Sequence, residues 1–266
     1  MIDVLRNVFT EEMIFLCEAL PFSACRILQP HKLERLGFQA KSVIMLAIPY
    51  YVTIASPRNL SRYAVAEDYH LFVKELEKRI VPKLSALFSE YHFAVFADNS
   101  PIDERHAAVL AGIGVLGDNG LVLTERYGSY VFLAEVLCDI PYDEIGTRCD
   151  FSFAECAHCG ACRVACHKKE LCLSALSQKK GSLLAEEERS LVEIGSVWGC
   201  DICQEVCPYN QTPEETPIEF FRSALIPYLT VATLDGMCDE AFARRAYAWR
   251  KRETIRRNLM LFEPKE

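Results

Sequence analysis

The chain has 266 residues, 51% of them apolar and 25% charged, which is enough to bury a sizeable core and excludes a disordered segment or a disulfide miniprotein. No apolar run reaches the roughly 18 residues of a membrane span, and the first ten residues contain Asp3 and Arg6 rather than a basic-then-apolar leader, so a cytoplasmic protein is expected. The net charge of −8, from 29 basic and 37 acidic residues, argues against general coating of nucleic acid and leaves room for one local basic patch.

Residues 9–20 read as a helix, and residues 42–50 (SVIMLAIPY) as a buried strand. Over 67–88, Phe72, Leu76, Ile80, Leu84 and Leu87 recur at helical spacing, giving an amphipathic helix that Pro82 should kink. A strand over 92–97 follows. Ser100, Pro101 and Asp103 offer a cap, a first-turn proline and a first-turn acid, which predict a helix running to about Leu110. Residues 111–119 (AGIGVLGDN) form a glycine-rich turn, and 121–124 with 129–138 a hairpin closed around Tyr127-Gly128. This alternation is an α/β layered domain of about 150 residues. After Pro208 the chain is mostly helical. Its stretch 244–257 (RRAYAWRKRETIRR) carries seven basic residues against Glu253. A solvated helix face and a phosphate-contacting face, with Tyr247 and Trp249 interleaved, are equally open.

Cysteine is the outlier. Thirteen cysteines in a chain expected to stay in the reducing cytosol point to metal rather than disulfides. Cys156, Cys159, Cys162 and Cys166 are spaced C-x2-C-x2-C-x3-C, and Cys200, Cys203 and Cys207 precede Pro208 as C-x2-C-x3-C-P, the bacterial ferredoxin layout for two [4Fe-4S] clusters. In that layout three closely spaced thiolates wrap one cubane and the fourth ligates its neighbour. Cluster I is therefore assigned Cys156, Cys159, Cys162 and Cys207. Cluster II is assigned Cys166, Cys200, Cys203 and one further thiolate, for which Cys172 is the candidate. The alternative is a pair of zinc sites, whose knuckles usually come as separate C-x2-C pairs. Cys17, Cys25, Cys138, Cys149 and Cys238 are scattered and are read as structural.

A redox module beside an α/β domain implies that electrons are delivered to something that domain holds. Gly112, Gly114 and Gly117 have dinucleotide-fingerprint spacing but follow a predicted helix rather than a strand, the wrong context for that function. No D-x-H-x-x-G stretch offers a lower histidine ligand to cobalamin. Asp98 falls just past a predicted strand, where open α/β sheets place ligands, and is a candidate acid or a simple turn former. Asp103 and Glu104 read as first-turn charges favoured by the helix dipole.

Several segments together resemble one family: 61–70 (SRYAVAEDYH), Asp98-Asn99-Ser100-Pro101 with Glu104-Arg105, 111–117 (AGIGVLG), 128–137 (GSYVFLAEVL), the eight cysteines, Leu173-Ser174, 199–210 (GCDICQEVCPYN), Trp249-Arg250 and Arg257-Asn258. These resemble the epoxyqueuosine reductases, cobalamin and iron–sulfur enzymes that complete queuosine on tRNA, and the likeness runs from about residue 42 to residue 258. The resemblance implies a nitroreductase-like domain holding base-off cobalamin over 1–150, a ferredoxin-like double-cluster domain over 151–210 and a helical tail with a basic patch over 211–266. It implies that the clusters reduce cobalt to Co(I), which acts on the epoxide-bearing ring of the base at the wobble position and leaves an alkene and water. Asp98 matches the family's acid, which protonates the departing oxygen. Arg62, Tyr63, Asp68, Tyr69 and His70 would line the corrin and substrate cavity, with Gly112, Gly114 and Gly117 beside the cofactor. Arg250, Lys251, Arg256 and Arg257 would contact the anticodon region of the tRNA, the helical repeat domain of longer members not being represented. A monomer served by a low-potential electron donor, with no membrane partner, completes the expectation. Against the family pattern, Asp118 stands where lysine is usual, His167 where proline is usual, and the stretch between Cys166 and Cys172 is short. The rival functions are a cobalamin-dependent reductase of a small molecule and an iron–sulfur protein that passes electrons on or reactivates a corrinoid protein.

Overall fold

The computed structural model describes residues 1–55, 57–146, 155–166 and 172–263. Along the chain, α1 (Ile2–Glu11) leads into β1 (Leu16–Pro21), a short α2 (Pro30–Leu33), β2 (Ser42–Pro49), the long α3 (Tyr69–Leu87), β3 (Phe93–Phe96), α4 (Glu104–Leu110), the two-residue strands β4 (Val115–Leu116) and β5 (Val122–Leu123), β6 (Val131–Cys138) and α5 (Tyr142–Ile145). Then come α6 (Ala161–Ala165), α7 (Leu173–Ser177), α8 (Ala185–Ile194), α9 (Ile202–Glu205), α10 (Val231–Gly236), α11 (Asp239–Ala243) and α12 (Lys251–Met260). Among the described residues no helix is long and apolar enough to cross a membrane.

The main sheet has the order β1-β2-β6-β3, every pair antiparallel. All eight residues of β2 are buried, because helices cover both faces of the strand. Strand alternation sends Ile44, Leu46, Ile48, Ala134 and Val136 against α1 and α3, where Leu5, Phe9, Phe72, Leu76, Ile80 and Leu84 meet them. It sends Val43, Met45, Ala47 and Leu137 against Ala107 and Ala108 of α4, whose small side chains let the helix sit close. Each such large aliphatic side chain contributes about 1.5–3 kcal/mol when fully buried. The helix α3 runs on through Pro82, which lies on its exposed side between the buried Ile80 and Leu84.

The α/β class is as expected, and several local expectations are overturned. Residues 9–20 are not one helix: the chain turns at Met13 (φ 61) and enters β1, which pairs with β2 from Leu16↔Ala47 to Pro21↔Ser42. Long-range pairing there outweighs local propensity. Ser100 does not cap a helix. Its hydroxyl is engaged with Glu135, and the Pro101 carbonyl accepts from the Leu28 and Gln29 amides at 2.8 and 3.1 Å, which holds this stretch out of the helix. The helix α4 starts at Glu104 under an Asp103 cap. The expected hairpin reduces to a single Thr124↔Gly128 bridge, since β5 pairs with β4 while β6 lies between β2 and β3. Because the sheet is antiparallel, the crevice rule for parallel sheets does not explain the position of Asp98, although the residue does follow β3. The basic stretch 244–257 is not one helix either: α11 ends before it, and α12 starts at Lys251, whose φ is 66. Tyr247 is fully buried against Trp198 and Phe242 rather than facing phosphate.

The cysteine segment and the tail close back onto the sheet domain. Leu60, Ala64 and Val65 share one core with Val197, Trp198, Leu229, Tyr247 and Ile255, and Leu60 bridges Trp198 in parallel. The buried Asn258 amide donates to the Ser177 and Val197 carbonyls, both at 2.8 Å. Ile218 and Phe221 join the core beneath α3.

Candidate active site and cysteine sets

The start of α3 and the loop after β3 bring three of the expected residues together. Asp68 caps α3, its Oδ1 accepting the His70 amide at 3.0 Å and lying 2.8 Å from His70 Nδ1. The other face of the imidazole, Nε2, lies 3.7 Å from Asp98 Oδ2. Between two carboxylates His70 is pushed up to about 9, chiefly by its bond to Asp68 and then by the nearby Asp98. Asp98 is held below the usual carboxylate range, first by the facing His70 ring. At neutral pH the ring is therefore a cation and Asp98 an anion. Tyr69 lies flat on Phe132, centroids 4.1 Å apart, forming an aromatic wall beside them.

Asp98 is exposed and sits at φ 58, a left-handed conformation uncommon outside glycine, asparagine and aspartate. Its amide donates to Glu104 Oε1 at 2.9 Å. Glu104, read from sequence as a dipole charge, is instead packed with the wholly buried Glu135. Desolvation holds both carboxyls above the usual range; the nearby Glu135 adds to the rise at Glu104, whereas Ser100 and Glu104 partly offset it at Glu135. The sequence did carry a signal for this pair: Glu135 is the lone charged residue in the apolar strand VFLAEVLC.

Arg62 and Tyr63 lie apart from that trio, toward the cysteines. The Arg62 guanidinium stacks over Tyr51 at 4.9 Å and Tyr130 at 5.8 Å, while its Nε is buried with no acceptor among the described residues. The Tyr63 hydroxyl faces Trp198 and Ser174, and burial raises its pKa. The Arg62 amide donates to Asp201 Oδ2 at 2.8 Å, the Ser61 hydroxyl to Asp201 Oδ1, and Arg58 Nη1 to Oδ2 at 2.5 Å. Asp201, next to Cys200 and absent from the sequence expectations, thus ties the cysteine segment to the sheet domain.

The eight cysteines fall into two neighbourhoods. Cys156, Cys159, Cys162 and Cys207 line one recess, together with Gly117, Asp118, Gly160 and Tyr209. Burial and then the thiols of Cys162, Cys156 and Cys159 raise the Cys207 pKa. In the second neighbourhood Cys200 and Cys203 feel Cys172 and Cys166, and Cys203, buried first and crowded second, is pushed up to about 12. Thiols gathered this closely resist becoming thiolates together unless a cationic centre holds them, and a metal cluster supplies that centre. In the first neighbourhood Asp118, Cys156 and His158 also bring one ligand atom each within 4.8 Å of one another.

The glycine-rich turn serves this recess. Gly117 and Asp118 are on its rim, and Gly114 packs so tightly on the Leu123 carbonyl that a Cβ would lie 2.2 Å from it. The charge of Asp118 is met by Arg163 Nη2 at 3.4 Å and by His158 Nδ1 at 2.9 Å. From the other side the GCDICQEVCPYN stretch locks onto the turn leading into β6: Asn210 Oδ1 accepts the Ser129 amide at 2.8 Å, and its Nδ2 donates to Ser129 Oγ and the Gln204 carbonyl, each at 2.8 Å. Cys149 and His167 lie outside the described residues. Cys17 and Cys138 are buried with thiols pushed up to about 12, which fits inert core positions.

In the basic tail, Lys251 is exposed, Arg250 stacks on the exposed Trp249 at 3.8 Å, and Arg256 pairs with Asp235. Arg257 is committed to backbone carbonyls of Lys179 and Gly181 and to Asn258.

A family model described as "Epoxyqueuosine reductase QueG, DUF1730" matches residues 31–99. The epoxyqueuosine reductase of Cyclobacterium marinum is 35% identical over 201 residues, covering 69% of this chain and 62% of that protein. That of Leadbetterella byssophila is 30% identical over 238 residues, covering 83% of this chain and 76% of that protein. The chain thus spans just under two thirds of the first relative and about three quarters of the second. The structure of epoxyqueuosine reductase from Streptococcus thermophilus superposes with a TM-score of 0.77 at 22% identity, over 98% of this chain and 80% of that one. An epoxyqueuosine reductase solved with an epoxyqueuosine-modified tRNA-TYR stem loop superposes at 0.75 and 22% identity, over 97% and 80%.

Proposed function

Because this chain belongs to the epoxyqueuosine reductase family, we propose that it reduces epoxyqueuosine to queuosine at the tRNA wobble position, with electrons passing through two [4Fe-4S] clusters to cobalamin. The observation that carries this is the assembly of eight cysteines into two sets of four, tied through Asp201 to the Arg62–His70 segment. Cys156, Cys159, Cys162 and Cys207 would hold one cluster, and Cys166, Cys172, Cys200 and Cys203 the other. For cobalamin the fit rests on the Tyr69–Phe132 wall and on Arg62, whose buried Nε has a hydrogen to give and no acceptor among the described residues. We read residues 1–150 as a nitroreductase-like cobalamin domain, 151–210 as a ferredoxin-like domain and 211–266 as the helical tail, in a cytoplasmic monomer fed by a low-potential donor.

When bound, reduced cobalamin supplies the electrons that open the carbon–oxygen bonds of the epoxide. The net change consumes two electrons and two protons and yields an alkene and water. The chain supplies one of those protons, and solvent at the exposed Asp98 loop supplies the other. Asp98, exposed on its loop, delivers the chain's proton to the departing oxygen, an effect worth about 10²–10⁴-fold in rate. His70 stores the proton at Nε2 and returns it to Asp98 Oδ2, while Asp68 on Nδ1 keeps the ring oriented and basic. Lys251, Arg250 and Arg256 are the basic groups at the tail's surface for the tRNA backbone, and the family structure with a tRNA stem loop supports that class of partner.

The test is anaerobic purification followed by iron analysis, corrinoid binding and conversion of epoxyqueuosine-tRNA. About eight iron atoms per chain, tight cobalamin and conversion to queuosine are expected. Zinc in place of iron, or cobalamin-loaded protein that leaves the modified tRNA unchanged, would refute the proposal.

A further inference from the structure

The Glu104–Glu135 pair stands directly behind the loop that carries Asp98. Glu135 is wholly inaccessible and shares with Leu133 and Leu137 the face of β6 that α4 covers. Its Oε1 accepts the Ser100 hydroxyl, and no N–H or O–H donor among the described residues reaches its buried Oε2. Glu104, at the start of α4, sets its carboxyl beside that of Glu135 and turns Oε1 to the Asp98 amide. Two carboxylates in contact away from water do not both ionise. A proton kept by the pair supplies the donor that Glu135 Oε2 lacks.

We propose that Glu104 and Glu135 hold one proton between them and that this protonated pair is a positioning device, fixing Asp98 in its left-handed conformation with the carboxyl turned toward His70. The charged and titratable groups facing the pair are Lys32 of α2, whose Nζ is bonded to the Asn99 carbonyl, Cys25 beside Glu135, Tyr69 of α3 beside Glu104, and Asp98 with His70 beyond it. Lys32 favours ionisation of Glu135 and burial opposes it, with burial the larger influence. Removing the shared proton at alkaline pH sets two negative charges against each other beneath the loop. The Asp98 anchor then weakens and the loop opens. This positioning role rests on Asp98 being the acid.

The holoenzyme tests it by hydrogen–deuterium exchange of residues 98–104 and by turnover of epoxyqueuosine-tRNA, both followed from neutral to alkaline pH. In the wild type, exchange of the segment should rise about tenfold beyond the intrinsic rate increase as the pair loses its proton. Glu104→Gln keeps an acceptor for the Asp98 amide and a donor for Glu135, so it should stay protected across the range and hold kcat within about threefold. Glu104→Ala should lose protection at every pH and lower kcat about ten- to a hundredfold with KM little changed. Glu135→Gln, which cannot add a second charge, should flatten the pH response. The proposal is overturned if Glu104→Ala exchanges like the wild type, if Glu104→Gln is as impaired as Glu104→Ala, or if the alkaline response survives in both glutamine variants. Exchange reports the anchor independently of chemistry: undiminished turnover in Asp98→Ala, with exchange responding as stated, would overturn the acid role and support the anchor.

Discussion

His70 Nε2 faces Asp98 Oδ2 at 3.7 Å, and the same ring is gripped on its far side by Asp68 at 2.8 Å. The histidine is raised to about 9, so its ion pairing contributes stability fully present below the unfolded value near 6.5 and lost as pH rises through about 9. Asp98 is depressed, so its share is present above its unfolded value and lost as pH falls through the lowered one. Titration of the His70 ring by NMR should therefore show a midpoint near 9. Asp68→Asn should lower it further than Asp98→Asn, since Asp68 is the larger cause. A wild-type midpoint at the ordinary histidine value would remove the ring as a proton store.

Asp98→Asn keeps a side chain that tolerates φ 58 and removes the carboxylate through which the proton passes. Iron content and cobalamin binding should be unchanged while single-turnover reduction slows by about 10²–10⁴-fold. Wild-type rates in that variant would assign the acid role elsewhere.

The buried strand over 42–50 and the amphipathic helix over 67–88 were legible because their periodicity is local. The neighbour of that strand was not. The strand β2 pairs with β6, where Ser42 meets Cys138 across most of the domain's sequence, and no short window encodes a contact at that separation. The closeness of Cys156, Cys159 and Cys162 was legible from their spacing, whereas the arrival of Cys207 at the same recess depends on the fold. Glu104 was missed because an acid in a first helical turn already has a sufficient reason to be there. Its second role follows only when α4 is laid on the face of β6 that exposes Glu135. Asp201 was missed for the same reason: its partners Arg58, Ser61 and Arg62 are more than a hundred residues away.

The crossing of the two cysteine motifs is open to direct test. Cys207→Ala and Cys156→Ala should each remove about half the iron and abolish the same paramagnetic signal, whereas Cys166→Ala and Cys203→Ala should abolish the other. If Cys207→Ala instead matches Cys203→Ala, ligation follows the linear motifs and the shared recess of Cys156 and Cys207 has another explanation.

Gly128 has φ 56, and a Cβ there would lie 1.9 Å from Asn210 Oδ1. Gly128→Ala forces a left-handed alanine, at about 1–2 kcal/mol, and also displaces the Asn210 side chain. Asn210→Ala leaves the buried Ser129 amide without its acceptor, at about 1–3 kcal/mol. Because both changes break the same contact, their effects in denaturant unfolding should be less than additive. Full additivity would mean that the lock on the cysteine segment does not form as a unit.

The tail arginines should separate into two behaviours. Arg257 donates to carbonyls of Lys179 and Gly181 and to the Asn258 side chain, whose own amide bridges Ser177 and Val197, so its guanidinium joins the tail to the stretch between α7 and α8. Arg257→Ala should lower stability by about 1–3 kcal/mol for the charged hydrogen bonds lost, with tRNA affinity following only through folding. Among the described residues the exposed Lys251 has no such commitment. Arg256 is held by the half-exposed Asp235, a surface pairing worth at most about 1 kcal/mol and readily exchanged for a phosphate. Lys251→Ala with Arg256→Ala should weaken tRNA binding at low salt and reduce the slope of log Kd against log salt by about one to two, while the unfolding midpoint stays near the wild type. An unchanged slope in that double variant would mean that α12 is a solvated face and that the phosphate contacts lie on another surface.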